Sequence, residues 1–279
     1  MEVDLYVIMN SVFRYVRLWF AFARFALLGE LAFRGNFIMK MLVEILWLII
    51  LLMFYRTIFA NTRLVAGWTE HEYLFFVGCY FALEGLIETL FLENCQDFSN
   101  QVRTGNLDSS LLLPLDEQFL VTCRKIDWST LPNFLMGVGV MVRSLAQNPD
   151  WHFRLLPLMI FMLVFACALL LAYSFLLILT SSAVWMIRNQ SLMELWWLFS
   201  SLMRYPREVF TGASWAVPIS LVFTFLLPVM LVTNVPANVM VRTFEPENVL
   251  FIIAATAAML VVSRWFFRRA LRRYRSASS

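Results

Sequence analysis

The sequence holds no G-x-x-x-x-G-K-[ST] phosphate loop, so the chain has no visible means of binding ATP by that route. It has no H-E-x-x-H motif, and its two histidines, His71 and His152, stand alone in short polar stretches, the ordinary setting of solvated surface rather than of a metal site. Its four cysteines, Cys79, Cys95, Cys123 and Cys167, form no C-x-x-C pair and have no metal spacing, which leaves them as reduced packing residues. Nine glycines and nine prolines are too few for low-complexity linkers, and a net charge of +3 does not suggest nucleic acid. Thr211–Ser214 faintly suggests a serine nucleophile, but neither histidine falls on the same side of the bilayer to serve as its base. The first residues lack a basic stretch followed by an apolar one and a small-residue cleavage site, so no cleaved signal peptide is expected.

What the chain has instead is apolar sequence. With 61% hydrophobic residues and a mean hydropathy of +0.73, it has more apolar surface than one soluble core can hide, so its solvent is lipid. Six spans are predicted: Phe37–Thr57, Tyr73–Leu92, Leu131–Leu145, Leu155–Leu179, Trp215–Thr233 and Asn248–Phe266. Leu131–Leu145 is the weakest, with Pro132, Gly137, Gly139 and Arg143; small residues let helices approach closely, so it is placed inside the bundle. Arg14, Arg17 and Arg24 share one face of a helix over Asn10–Glu30, with aromatics largely opposite, which fits a segment lying in the headgroup plane. Arg188–Tyr205 is read as a second interfacial helix on the side of the central polar island, and Asn234–Asn238 as a turn. The fold expected is all-α and polytopic: six transmembrane helices plus an N-terminal interfacial helix.

Charge tests that layout. It places 17 of the 22 Lys and Arg on the side of the termini and five, Arg56, Arg63, Arg143, Arg154 and Arg242, on the other. The positive-inside rule then puts both termini and the island in the cytoplasm. Trp68, Trp128, Trp151, Trp215 and Trp265 fall near span boundaries, as an aromatic belt would, whereas Trp47 reads as a packing residue.

Two groups of residues stand out. The first is the island Gln101–Phe119, QVRTGNLDSSLLLPLDEQF. Gly105 and Asn106 tolerate positive φ, Asp108 is an N-cap candidate, and Pro114 limits helix continuation, so a short helix is predicted over Ser109–Leu113. A helix of one or two turns must dock onto something, and Leu111, Leu112 and Leu115 offer it an apolar face. The second is a set of ionisable residues at membrane depth: Lys40 and Glu44 on the first span, Glu84 and Glu88 on the second, each pair four apart. The structural reading is an ion-pair lock between the two spans, with Lys40 against Glu84 or Glu88. The functional reading is a carboxylate lining for polar or cationic cargo.

The string VRTGNLDSSLLLPLDEQF, followed by IDWSTLPN and later by RYPREVF and PVMLVTNVPAN, resembles the permease subunits of type-2 ABC exporters, and more narrowly a branch with about six spans. The likeness runs over residues 30–270, and G-N-L-D-x-x-L-L-x-P-L is its most specific part. Together with the span and charge layout this gives a single permease domain over residues 1–279, with the interfacial helix at 10–30, a cytoplasmic loop at 94–128 whose short helix the resemblance makes a coupling helix, and a cytoplasmic interfacial segment at 188–210. In that reading Gly105, Asn106, Leu107, Asp108, Leu111, Leu112, Pro114 and Leu115 seat the coupling helix in a cleft of a separate cytosolic ABC ATPase. No cofactor is expected on this chain; ATP and Mg belong to the partner. A second permease copy or paralogue completes the path, and the setting implied is a bacterial inner (plasma) membrane. An ion-coupled secondary transporter using Glu84 and Glu88 is the alternative, though no paired repeat with broken helices is visible. A membrane-embedded glycosyl or acyl transferase lacks a convincing acid–base set.

Overall fold

The computed structural model describes residues 2–149, 151–186, 190–210, 229–242 and 244–274. Eleven helices of α type lie among them: α1 Glu2–Ala32, α2 Arg34–Asn61, α3 Glu70–Ile87, α4 Glu93–Thr104, α5 Leu107–Leu111, α6 Glu117–Cys123, α7 Leu131–Gln147, α8 Leu155–Ser182, α9 Gln190–Met203, α10 Val229–Val241 and α11 Pro246–Arg273. No strand joins them among the described residues. Four helical stretches are long and apolar enough to cross a membrane: Arg34–Asn61, Glu70–Thr104, Leu155–Ser182 and Pro246–Arg273. An all-α, multi-pass membrane architecture is therefore what the sequence specifies.

The second of these is the spine. It begins at a capping box, in which Thr69 and Glu72 exchange backbone and side-chain hydrogen bonds. It continues from α3 through a π-turn, Glu88–Leu92, directly into α4. The helix thus outruns the predicted span and takes in Gln101–Thr104 at the start of the island. Around it the core is largely aromatic, with Phe75, Phe76, Tyr80 and Phe81 all nearly inaccessible.

Helix α7 lies antiparallel along α3 at backbone contact. A Cβ on Gly78 would meet the Gly137 carbonyl at 2.8 Å, and one on Gly85 would meet the Phe134 nitrogen at 2.4 Å. Gly78, Ala82 and Gly85 therefore form a groove one helix face wide, into which α7 seats Gly137. Helix α7 faces inward only along Gly137; its other face is open, with Leu135 and Val142 exposed and nothing within 4 Å of Gly139.

The path after α8 differs from expectation. Instead of lying along the island's end of the bundle, the chain climbs back beside α3. Val184 packs in the cluster of Phe98 and Phe267 near the island, Ser200 reaches Glu84, Arg204 reaches Tyr80, and Glu208 reaches Trp68 just before α3 begins. The 14 residues of α9 cover about 21 Å of that climb. The cause is burial: Trp196, Phe199, Ser200 and Met203 form a stripe against the core, and the opposite face is also apolar, with Leu195, Trp197 and Leu198 exposed. Arg207 consequently sits at the Trp68 end, where its amide donates to Asn234. The basic excess stays with the island's end. The predicted span Trp215–Thr233 lies mostly outside the described residues. The predicted turn at Asn234–Asn238 is helical, inside α10, because Val232, Val235 and Ala237 are buried there and packing overrides Pro236.

Trp68 is fully buried rather than part of an aromatic belt. Its indole donates to Glu208 at 3.0 Å, and the Arg242 guanidinium lies 4.6 Å above the ring. Trp47, expected to pack, is half exposed, with Arg204 5.7 Å from its ring centroid.

Candidate functional site

The island forms a foot at the end of the spine. Helix α4 stops at Gly105, whose φ of 76° is the left-handed cap that a side chain resists. Asn106 stays right-handed at φ −70°. The chain turns and α5 begins at Leu107, two residues before the predicted start, and ends at Leu111. The reason is Leu107 itself, which is fully buried among Phe98, Val121, Leu177 and Phe267 and so draws the helix start forward. Asp108 accordingly lies in the first turn and makes no capping hydrogen bond, although its charge still suits the positive end of a helix. The residue that does cap is Asp116, which accepts from the Phe119 amide at 3.1 Å at the start of α6.

Apolar side chains on the foot divide in two. Leu111 packs against the buried cluster, and Leu115 is only part exposed. Leu112 is 85% exposed and Leu113 47%, so the bare apolar tip is Leu112–Pro114 rather than Leu111, Leu112 and Leu115 together. Hydrogen bonds to α1, α11, α8 and α4 hold the foot around that tip. Arg14 on α1 donates to the Pro114 carbonyl at 3.3 Å, and the Asp116 amide donates to the Tyr15 hydroxyl at 3.1 Å. Arg264 on α11 donates to Asp116 and to Gln118, each at 2.9 Å, and Gln118 donates on to Tyr173 of α8. Ser110 donates to Gln101, tying the foot to α4. Between α1, α4 and the foot lies a cleft of about 900 Å³ lined by Phe22, Phe25, Asp97, Asn106 and Lys125.

Above the foot, the IDWSTLPN segment ties α1, α2, α3 and α7 together. The π-turn leaves the Thr89 carbonyl to accept from the Asp127 amide at 3.0 Å. Asn94 bonds both the amide and the carbonyl of Lys125. Trp128 donates its amide to Glu30 and its indole to the Ala23 carbonyl, which fastens α1. Burial pushes the Glu30 carboxyl up, with the Trp128 amide pulling the other way. Ile126 is buried beneath.

At membrane depth the predicted lock takes another form. Lys40 pairs with Asp127 at 3.3 Å rather than with Glu84 or Glu88. Asn133 of α7 links α2 to the π-turn after α3: its amide donates to Glu44 at 2.9 Å and to Glu88 at 3.4 Å. Glu84 instead accepts from Ser200 at 2.6 Å. Asn133 and Asp127 belong to this site although neither stood out in the sequence: Asn133 lies inside the predicted span Leu131–Leu145, and Asp127 in the polar stretch just before it. All four cysteines are free, and burial holds the Cys123 thiol up. Among the described residues no group of three or more His, Cys, Asp and Glu is arranged to hold a metal ion.

Residues 45–278 match the family model described as ABC-2 family transporter protein. No curated protein and no solved structure matches the chain.

Proposed function

This chain belongs to the ABC-2 family of transporter proteins, and from that membership we propose that it is the membrane-spanning permease subunit of an ATP-driven exporter. Its foot, from Gly105 to Leu115, seats on a separate cytosolic ATPase that holds ATP and Mg. A second permease, the same chain or a paralogue, completes the substrate path. The foot's end of the bundle faces the cytoplasm of a bacterial inner membrane, and both termini lie on that side.

One observation carries the reading. A strongly exposed Leu112, with half-exposed Leu113 beside it, stands beyond the end of a 35-residue helical spine whose own apolar side chains are all buried or part buried. Such a tip calls for a partner, and the spine gives it leverage. Closure of paired ATPases would tilt the foot, and the Asp116–Arg264 contact would carry the tilt to α11 as the Tyr15 contact carries it to α1.

The test is copurification of a coexpressed ABC ATPase with the full chain, compared with the Leu112→Asp/Leu113→Asp variant. Loss of the ATPase from a variant that still melts normally is the expected result. An ATPase that stays bound to the folded variant would remove the docking claim.

A further inference from the structure

Beyond the permease reading, and independent of it, we propose that the foot-end surface of α11 is a binding site for the phosphate headgroup of an anionic phospholipid. Two faces of this helix part company after Val261. Ser263, Phe267 and Ala270 are buried, Phe267 with its ring centroid 6.0 Å from that of Phe98. Val261, Trp265, Arg268, Arg269, Arg272 and Arg273 fall on the opposite side, at the i, i+4, i+7, i+8 spacing of one helical stripe. With Arg264 they line a groove of about 460 Å³.

Among the described residues no carboxylate lines the groove. Among the described residues, Arg264 is held by Asp116 and Gln118, the Arg269 guanidinium lies 5.8 Å from the Trp265 ring centroid, and Arg268, Arg272 and Arg273 have no acidic partner. The four guanidiniums without an acidic partner, Arg268, Arg269, Arg272 and Arg273, repel each other around one hollow unless an anion enters, and a phosphate takes two-pronged hydrogen bonds from such a fork.

The apolar rim favours lipid over a soluble acidic partner. Val261 is 71% exposed and Trp265 60%, both on the helix Pro246–Arg273 where its apolar stretch gives way to the arginines. A phospholipid matches both halves: acyl chain along Val261 and Trp265, phosphate against the arginines one turn further on. The same groove ends at Arg264, one guanidinium from the foot, so the lipid and Asp116 draw on a common residue.

The experiment uses the full chain in nanodiscs of phosphatidylcholine and phosphatidylglycerol at about three to one, with native mass spectrometry of the lipids that remain bound on release. The expected result is retention of phosphatidylglycerol over phosphatidylcholine by at least about tenfold relative to the bulk ratio, since each arginine at an anionic surface contributes on the order of a fivefold preference. Arg268→Gln/Arg269→Gln/Arg272→Gln should abolish that preference. Arg143→Gln/Arg154→Gln, at the other end of the bundle, should keep it. Should the triple variant fail to fold, Arg268→Lys/Arg269→Lys/Arg272→Lys keeps charge but loses the fork and should lower the preference severalfold. Equal retention of the two lipids by the wild-type chain, or a preference indifferent to the triple glutamine change, would overturn the proposal. So would a soluble polyglutamate peptide that displaces the retained phosphatidylglycerol, which would give the groove to an acidic protein partner.

Discussion

Gly137 and Ala82 meet so closely that a Cβ built on the glycine would lie 2.4 Å from the alanine's backbone nitrogen. No side-chain rotation relieves that approach, because the obstacle is helix backbone. Gly137→Ala should therefore push α7 off α3 and lower stability by about 1–3 kcal/mol, the range for overpacking a close contact. Gly139→Ala, which meets open space, should change little or even stabilise. Thermal melts of the two variants in one detergent check the contrast; equal effects would mean the helices do not touch there.

Gly105 carries a second backbone demand. At φ 76° an alanine is strained, so Gly105→Ala should cost about 1–2 kcal/mol and loosen the junction between α4 and α5. Hydrogen exchange over residues 100–112 should rise in that variant before any other region changes.

The leucines of the foot should divide as their burial does. Leu107→Ala empties a site that is closed on every side and should cost about 2–5 kcal/mol. Leu112→Asp, on a residue 85% exposed, should leave the melting temperature where it was. A large loss of stability from Leu112→Asp would show that the tip is already covered within the chain.

Asn133 stands between two carboxylates, so its replacement tests the membrane-depth cluster. Asn133→Leu takes the shared donor from Glu44 and Glu88 and leaves both without it in a poorly solvated place; a loss of about 1–3 kcal/mol is expected. Lys40→Met should do less, since the lysine side chain is half exposed. The order of the two melting shifts is the measurement, and a reversed order would put the weight on the Lys40–Asp127 pair instead.

The Arg264–Asp116 pair calls for a double-mutant cycle. Its side chains are 43% and 34% exposed, so solvent screens the pair and its coupling to stability should be no more than about 1 kcal/mol. Its effect should appear instead in position. A spin-label distance between residue 112 and α11 should broaden in Asp116→Asn and in Arg264→Gln alike, with no further broadening in the double variant.

Composition and periodicity alone settled that this chain is an all-α membrane protein. Long apolar runs in a chain 61% hydrophobic leave no other solvent, and every backbone group in lipid must be satisfied within a helix. Turn chemistry also located the foot, because the left-handed position at Gly105 is a local property of glycine. What local pattern could not decide was the partner of each polar group. Lys40 found Asp127, 87 residues away, and the two carboxylates found Asn133, because α7 lies against α3 on Gly78, Gly85 and Gly137. The rise of α9 to Trp68 was likewise hidden, since a short helix apolar on both faces reads the same whether it lies on a membrane or crosses into one. The start of α5 moved for a similar reason: burial of Leu107 against Phe98 and Phe267 outweighed the capping preference of Asp108, and only the assembled helices bring those three side chains together.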